Sequence, residues 1–240
     1  MDAADYGLDS PGVIRRFAVG GGVFAAGAAI AGVVGAGDVA ALLALVAAMF
    51  LLAVWLMVRS SRHGKLREIE RMLDAIGLRG DEAVLDVGCG RGPLLVAAAK
   101  RVPRGGAFGI DVWTEPDRDG STPASVLANA RAEGVDDRVE VAEGDMRDLP
   151  FPDASFDAVV SSIALHALDG REDRERACEE IARVLRPDGR VAILDFRATQ
   201  ECAIALEDAG LIDVARWGLR FSMYPPVRLV TARKPPTAAA

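Results

Sequence analysis

Hydrophobic and polar positions follow two different patterns along this chain. Residues 17–37 and 39–58 are uncharged, and only Asp38 separates them. Each stretch is about 20 residues long, so a helix rising about 1.5 Å per residue crosses a hydrocarbon core of about 30 Å. From residue 65 onward, short apolar runs alternate with stretches in which apolar residues recur every three or four positions. The second pattern is typical of alternating strands and helices.

The first pattern predicts a hairpin of two transmembrane helices. Arg15 and Arg16 precede the first stretch and a basic cluster follows the second, whereas the turn carries only Asp38. Lys and Arg are enriched at the cytoplasmic ends of spans, so both chain termini are predicted to be cytoplasmic in a multi-pass protein of the cell membrane. Glycines on the first helix favour close packing against the second. They are Gly20, Gly22, Gly27, Gly32 and Gly35.

Two alternatives to this hairpin stay open. The first stretch has the composition of a signal peptide's apolar region, although it is long for one. Both stretches also suit a buried hairpin of a soluble protein, which would need a large partner to cover two wholly apolar helices.

The second pattern predicts a doubly wound α/β domain. Leu66, Ile69, Leu73 and Ile76 lie at helical spacing, so residues 65–78 are interpreted as an amphipathic connecting helix that covers a sheet. The strands and helices that follow alternate along the chain, which favours a mostly parallel sheet with helices on both faces.

Charge and cysteine content narrow the classes of function. The net charge of −7 disfavours nucleic acid as a partner, because phosphate binding draws on clustered Lys and Arg. Cys89, Cys178 and Cys202 are scattered, without CxxC or Cys/His spacing, so neither a disulfide framework nor a metal site is predicted. The histidines are His63 and His166, which limits mechanisms that need a histidine base.

The segment 84–92, VLDVGCGRG, predicts a ligand site. An apolar run ends in Asp86 and is followed by glycines at every second position, as in a buried strand that stops at a tight turn. The dinucleotide fingerprint GxGxxG would need a glycine where Pro93 stands, so nicotinamide and flavin cofactors are less favoured. Pro93 instead suits the first turn of a helix.

Asp86 with Gly88, Cys89, Gly90 and Gly92 resembles the first motif of class I S-adenosylmethionine-dependent methyltransferases. Later segments keep the family's order and spacing, so the resemblance covers roughly residues 65–234. Residues 149–162, LPFPDASFDAVVSS, resemble the branch that includes ubiquinone and menaquinone C-methylation enzymes. The resemblance implies a seven-stranded, mostly parallel Rossmann-like sheet, with S-adenosylmethionine as methyl donor and S-adenosylhomocysteine as product.

The resemblance also implies roles for site residues. In the family the glycine turn lies under the amino-acid and ribose parts of the cofactor, and the acid at the Asp86 position helps to hold the ammonium group. Asp111 ends the next strand and is predicted to accept from both ribose hydroxyls. Asp145 is expected to accept from the adenine amino group, and the N–H of Met146 to reach the ring. The other predicted cofactor contacts are Val112, Trp113, Gly144 and Ser161.

Several features of the cleft are open to two interpretations. Trp113 stacks on adenine or packs in the core. His166 follows the fourth strand and either takes a proton from an acceptor hydroxyl or amine or packs at a helix end. The polar loop 113–123 and the aromatic connection 221–226 are each interpreted as part of the acceptor site or as ordinary loops.

Together these features predict a membrane-anchored methyltransferase with a small, hydrophobic or lipid-like acceptor. Displacement at an activated sulfonium methyl needs positioning and exclusion of water more than a strong base. The alternatives are a non-catalytic membrane scaffold or sensor that binds the cofactor or its product, and a nicotinamide-dependent oxidoreductase. The expected organisation is a tail (1–14), the hairpin (15–60), the connecting helix (61–80), the methyltransferase domain (81–234) and a second tail (235–240).

Overall fold

The computed structural model describes residues 3–113 and 120–237. The α-helices are α1 Pro11–Val33, α2 Gly37–Arg59, α3 Lys65–Ile76, α4 Pro93–Arg101, α5 Pro123–Ala132, α6 Arg171–Val184 and α7 Thr199–Asp208. The strands are β1 Ala83–Val87, β2 Gly106–Asp111, β3 Val139–Glu143, β4 Phe156–Ser162, β5 Leu185–Asp195, β6 Ile212–Arg216 and β7 Arg228–Arg233.

Helices α1 and α2 form an antiparallel hairpin. The ring of Phe50 lies between those of Phe17 and Phe24, with centroids 5.5 and 5.6 Å away. Gly20 allows this approach, because a Cβ there would lie 3.1 Å from the Phe50 ring. Only 11% and 6% of the most apolar windows of the two helices are buried within the chain. By length and composition alone, both helices are suited to cross a membrane.

The second helix continues into the α/β domain without a break. One π-helical turn, Ser60–Gly64, joins α2 to α3, where the sequence predicts a boundary between the hairpin and the connecting helix. Ile69, Met72 and Leu73 of α3 are fully buried in the core that covers one face of the sheet, whereas Leu66 of the predicted apolar stripe is exposed. The helix therefore leads from the apolar hairpin into the core of the domain.

The sheet has seven strands in the order β3-β2-β1-β4-β5-β7-β6, and β7 runs antiparallel to both of its neighbours. This confirms the predicted doubly wound, mostly parallel sheet. Alternate residues of β5 face opposite sides, with Val191 in one core cluster and Ala192 in the other. The turn predicted at residues 186–189 lies inside β5 as an irregularity at which Asp188 has a φ of 62°.

The N-terminal segment, expected to be a loose tail, folds against the domain. Residues 3–10, here called the strap, hold to it by polar contacts. The backbone N–H of Asp5 donates to Asn129 over 2.8 Å, and the Asp5 carboxylate pairs with Arg91 at 2.9 Å. Asp9 pairs with Lys65 at 2.6 Å. The expectation was wrong because the acidic residues of this segment have specific cationic and amide partners.

Candidate functional site

A cavity of about 540 Å³ opens at the carboxyl ends of the central strands, where strand order reverses between β1 and β4. Its lining comes from the turn after β1, the ends of β2 and β3, the segment after β4, the strap and Lys65. Most predicted cofactor contacts line it: Asp86, Gly88, Cys89, Gly90, Asp111, Val112, Gly144, Asp145 and Met146. The structure therefore brings these dispersed positions together.

The Asp86 carboxylate at the end of β1 is almost completely buried, and neither oxygen has a hydrogen-bond partner among the described residues. Burial, and after it the negative charge of Asp111, raises the pKa of Asp86 to about 8. An unpaired buried carboxylate is costly unless a cation or donor satisfies it. The position thus suits a cationic ligand group. The Ser162 hydroxyl at the same cavity is another buried group without a hydrogen-bond partner among the described residues.

The turn after β1 requires its three glycines for different steric reasons. A Cβ at Gly88, where φ is 77°, would overlap Ala164, and one at Gly92 would lie 2.8 Å from Val126. At Gly90 φ is 54°, and no described atom lies within 4 Å of a Cβ built there. Gly88 and Gly92 therefore permit packing of the protein, whereas Gly90 keeps open a space that belongs to the cavity.

This difference predicts opposite outcomes for two alanine substitutions. Gly88→Ala should lower the free energy of unfolding by about 3 kcal/mol, from overlap and left-handed backbone strain. Gly90→Ala should cost only about 1 kcal/mol of stability and weaken cofactor binding at least about tenfold, because its methyl group enters the cavity. Urea unfolding and calorimetric titration measure the two quantities. Wild-type cofactor affinity in Gly90→Ala would contradict the assignment.

Asp111 and Trp113 hold the other side of the glycine turn. One Asp111 oxygen accepts from the backbone N–H of Gly90 at 2.8 Å, and the other from that of Trp113 at 3.2 Å. The indole N–H of Trp113 donates to the carbonyl of Gly90 at 3.3 Å, and the ring packs against the core beside α4 and α5. Trp113 does not line the cavity, so its core interpretation is the one the structure supports.

Asp145 lines the cavity but is already paired. Its oxygens accept from the guanidinium of Arg147, at 2.6 Å for the shortest contact, and from the Arg147 backbone N–H at 2.8 Å. These hydrogen bonds lower the pKa of Asp145, so it is a carboxylate at neutral pH. Each carboxylate oxygen accepts two hydrogen bonds from Arg147, so an additional amino donor would have to replace or share one of them. The adjacent Gly144 is needed locally, because a Cβ there would lie 2.5 Å from Ile110.

Two predicted contacts differ in detail from the expectation. The hydroxyl of Ser161 donates to the carbonyl of Val87 at 2.8 Å inside the sheet, so the neighbouring Ser162 takes its place at the cavity. The reason is strand alternation, which turns consecutive side chains to opposite faces. The Cys89 sulfur lies against Gly109 in the core, and burial raises the pKa of this thiol. Cys89 therefore offers its backbone to the cavity and has no reactive thiolate.

His166 lies on a short 3₁₀ turn, Leu165–Ala167, and lines the cavity. Its Nδ1 is 3.3 Å from the carboxylate of Asp195 at the end of β5, and its backbone N–H donates to the same group at 3.1 Å. Asp195 is 1% exposed, and Phe196 stacks near the imidazole with centroids 4.3 Å apart. A buried carboxylate thus fixes the orientation of the ring.

Sequence reasoning missed the upper part of the cavity. Tyr6, Leu8, Asp9 and Ser10 of the strap and Lys65 of α3 line it, and no local pattern marks them. Of the polar loop predicted as a possible acceptor wall, Ser121 lines the cavity and residues 114–119 lie outside the described residues. The connection 221–226 is not among the lining residues; it packs on α3 instead. No group of metal-ligating side chains occurs in the described ranges.

The polar groups and the open space of the site match the parts of S-adenosylmethionine. A buried acid without a partner suits the ammonium group, a second acid ends the neighbouring strand, and Gly90 leaves open space between them. The order of the seven strands and the cavity at this edge are those of the Rossmann-like fold that S-adenosylmethionine-dependent methyltransferases share. Residues 85–193, a little under half of the chain, match the family described as "Methyltransferase domain".

The relatives of this domain are named methyltransferases. The chain is 34% identical over 138 residues to 2-phytyl-1,4-beta-naphthoquinone methyltransferase of Arabidopsis thaliana, covering 57% of this chain and 50% of that protein. It is 30% identical over 141 residues to demethylmenaquinone methyltransferase of Thermus thermophilus, covering 59% of each. The matches thus span about half the length of these relatives.

Solved structures share the fold. The [4+2]-cyclase SpnF superimposes with a TM-score of 0.60 at 21% identity, over 71% of this chain and 82% of that one. A geranyl diphosphate methyltransferase, whose structure contains geranyl diphosphate and sinefungin, superimposes with a TM-score of 0.56 at 16% identity, over 76% and 80%. Because one fold carries both a cyclase and methyltransferases, function has to be argued from the site.

Proposed function

We propose that this chain is a membrane-anchored, S-adenosylmethionine-dependent methyltransferase whose acceptor is a small hydrophobic molecule carried in the bilayer. The observation that carries the proposal is the unpaired carboxylate of Asp86 in a cavity whose lining includes Ser10, just before α1, and Lys65, just after the π turn that follows α2. In this proposal Asp86 holds the ammonium group, Asp111 the ribose, and Asp145 with Met146 the adenine.

The position of the rim supports a bilayer-derived acceptor. Ser10, the last residue of the strap, directly precedes α1, and Lys65 directly follows the π turn after α2. The backbone N–H of Asp9 donates to the hydroxyl of Ser61 in that turn at 3.0 Å, which joins the two helix ends beside the cavity. If α1 and α2 cross the membrane, the cavity opens next to its surface. The basic residues at this end favour the cytoplasmic side.

The apolar part of the cavity lining suits an apolar acceptor. Leu8, Ile163, Ala164 and Leu168 contribute to its wall, together with the imidazole of His166. S-adenosylmethionine, when bound, supplies a methyl group on a sulfonium that is already activated for transfer. The chain contributes orientation and exclusion of water, and His166, oriented by Asp195, takes the proton from an acceptor hydroxyl.

The names of two relatives suggest the acceptor class. One acts on a 2-phytyl-1,4-beta-naphthoquinone and another on demethylmenaquinone. We infer that the acceptor here is a quinone-type ring, or a similar hydroxylated ring, with an apolar tail. A tail held in the bilayer would deliver the ring to the rim, since each buried methylene contributes about 0.8 kcal/mol.

Labelled methyl transfer in vesicles tests this acceptor class. With the full chain reconstituted, a tailed demethylnaphthoquinol is expected to be methylated at least about tenfold faster than its tail-less analogue at equal total concentration. The readout is radioactivity from the labelled cofactor in the organic extract. Equal rates would contradict a bilayer-derived acceptor. Cofactor binding without label transfer to either compound, or to a total lipid extract, would favour the scaffold or sensor function instead.

A further inference from the structure

The connection between β6 and β7 carries large hydrophobic side chains that the described residues leave exposed. Residues 217–227 are here called the aromatic loop, and a bridge between Arg220 and Val227 closes its outer part, residues 221–226. The exposed side chains are Trp217 (43%), Leu219 (48%), Phe221 (78%) and Tyr224 (42%). Clusters of exposed aromatic residues of this kind mark an interaction surface.

The aromatic loop is fixed against the junction of α2 and α3. The backbone N–H of Tyr224 donates to the hydroxyl of Ser60 at 2.9 Å, and the Ser222 hydroxyl donates to the buried carboxylate of Glu68. Ser222 lies so close to Gly64 that a Cβ on this glycine would overlap its carbonyl oxygen. Met223 is buried in the core cluster that includes α3. The loop therefore has a defined position relative to the second apolar helix.

That position corresponds to the depth of lipid headgroups. The uncharged part of α2 ends at Val58, so Ser60 lies just beyond it, and Gly64 lies about 6 Å further along the helix. The interfacial layer of a bilayer is about 5–8 Å thick on each side. Tyr and Trp are enriched in this layer, because one part of each ring is apolar and the other polar.

The charges near the aromatic loop and the place of the loop on the sheet also suit a surface that faces the membrane. Arg62 and Arg67 are exposed near the same junction, where they suit phosphate groups of lipids. In the antiparallel pairing of β5 and β7, Arg228 at the start of β7 lies opposite Asp195 at the end of β5. The aromatic loop therefore emerges at the edge of the sheet on which the cavity opens. A loop held in the headgroups would thus keep that edge toward the membrane.

We propose that the aromatic loop inserts into the headgroup layer of the bilayer as a third membrane contact beside α1 and α2, and thereby orients the cavity toward the membrane surface. The inference rests on the proposed anchoring by the two apolar helices. It is distinct from that anchoring, because the helices alone would hold the domain at the membrane without any contact between the aromatic loop and the headgroups.

Fluorescence quenching of the full chain in phosphatidylcholine/phosphatidylglycerol vesicles tests the inference. A cysteine at Phe221→Cys is labelled with an environment-sensitive fluorophore, since the native cysteines are buried. We expect a blue-shifted emission and quenching by lipids with headgroup nitroxides. Asp137→Cys, at the opposite edge of the sheet and also exposed, is the matched control and should show neither effect.

A third label separates this inference from the anchoring. Leu52→Cys lies within α2 and should be quenched by lipids with nitroxides on the acyl chains. Quenching at residue 52 without quenching at residue 221 would overturn the membrane contact of the loop and leave the anchoring intact. No quenching at residue 52 would overturn both.

Discussion

Asp86→Asn is expected to weaken S-adenosylmethionine binding about a hundredfold while stabilising the cofactor-free protein. Burial without a partner and the charge of Asp111 raise the pKa of Asp86 in the free protein, so at neutral pH folding must place a proton on this acid at a cost in stability that Asn avoids. In the complex the carboxylate would pair with the ammonium group, and loss of a charge-assisted hydrogen bond costs roughly 3 kcal/mol, which corresponds to that change in Kd. One substitution therefore moves affinity and stability in opposite directions.

The pKa of Asp86 adds a pH dependence to this prediction. In the folded state it is about 8, against an ordinary value of 3.8. Between these two pH values the folded state holds a proton that the unfolded state has lost. The stability that comes from this proton is therefore fully present below about pH 4 and is lost as the pH rises toward about 8. The free energy of unfolding should fall by up to about 1.4 kcal/mol per pH unit over this window.

Urea unfolding across the pH range, with calorimetric titration of the cofactor, checks both parts. The slope should be present in the wild type and absent in Asp86→Asn. Asp145→Asn is the matched control: hydrogen bonds from Arg147 lower the pKa of Asp145, so its removal should not flatten this slope. Unchanged cofactor affinity in Asp86→Asn would refute the ammonium site, and a wild type without the slope would refute the uncompensated burial.

The acids of the site were predictable because topology places the carboxyl ends of parallel strands at one edge. Asp86 and Asp111 each end a buried strand, which is visible in the sequence as an apolar run closed by a carboxylate. Asp195 ends β5 in the same way, and the same rule would have found it. Its role was missed because its partner, His166, lies 29 positions earlier on a turn without a periodic signal.

The position of the strap over the cavity could not be predicted, because its contacts join distant parts of the chain. Asp5 meets Arg91 across 86 positions, and Asp9 meets Lys65 across 56. Periodicity reports which face of an element is buried, and says nothing about which polar partner a short segment will find. The same limit explains Trp113, whose φ of 34° turns the ring toward the Gly90 carbonyl and away from the cavity.

His166→Gln is expected to lower kcat by about a hundredfold or more for an acceptor that must lose a hydroxyl proton. Glutamine keeps a polar side chain of similar reach and cannot take the proton, and general-base catalysis contributes at least about that much. Cofactor affinity should stay near the wild-type value, because His166 lies after β4 while the proposed cofactor contacts follow β1, β2 and β3. Single-turnover rates and calorimetric titration separate the two quantities.

Two further substitutions distinguish a proton acceptor from a residue that only packs. Asp195→Asn keeps the shape of the side chain that orients His166 but removes its charge, so kcat should fall while cofactor affinity stays near the wild-type value. His63→Gln, on the exposed face of the π turn outside the cavity, is the matched control and should retain the wild-type rate. Wild-type kcat in His166→Gln would show that positioning and exclusion of water drive the transfer without this base.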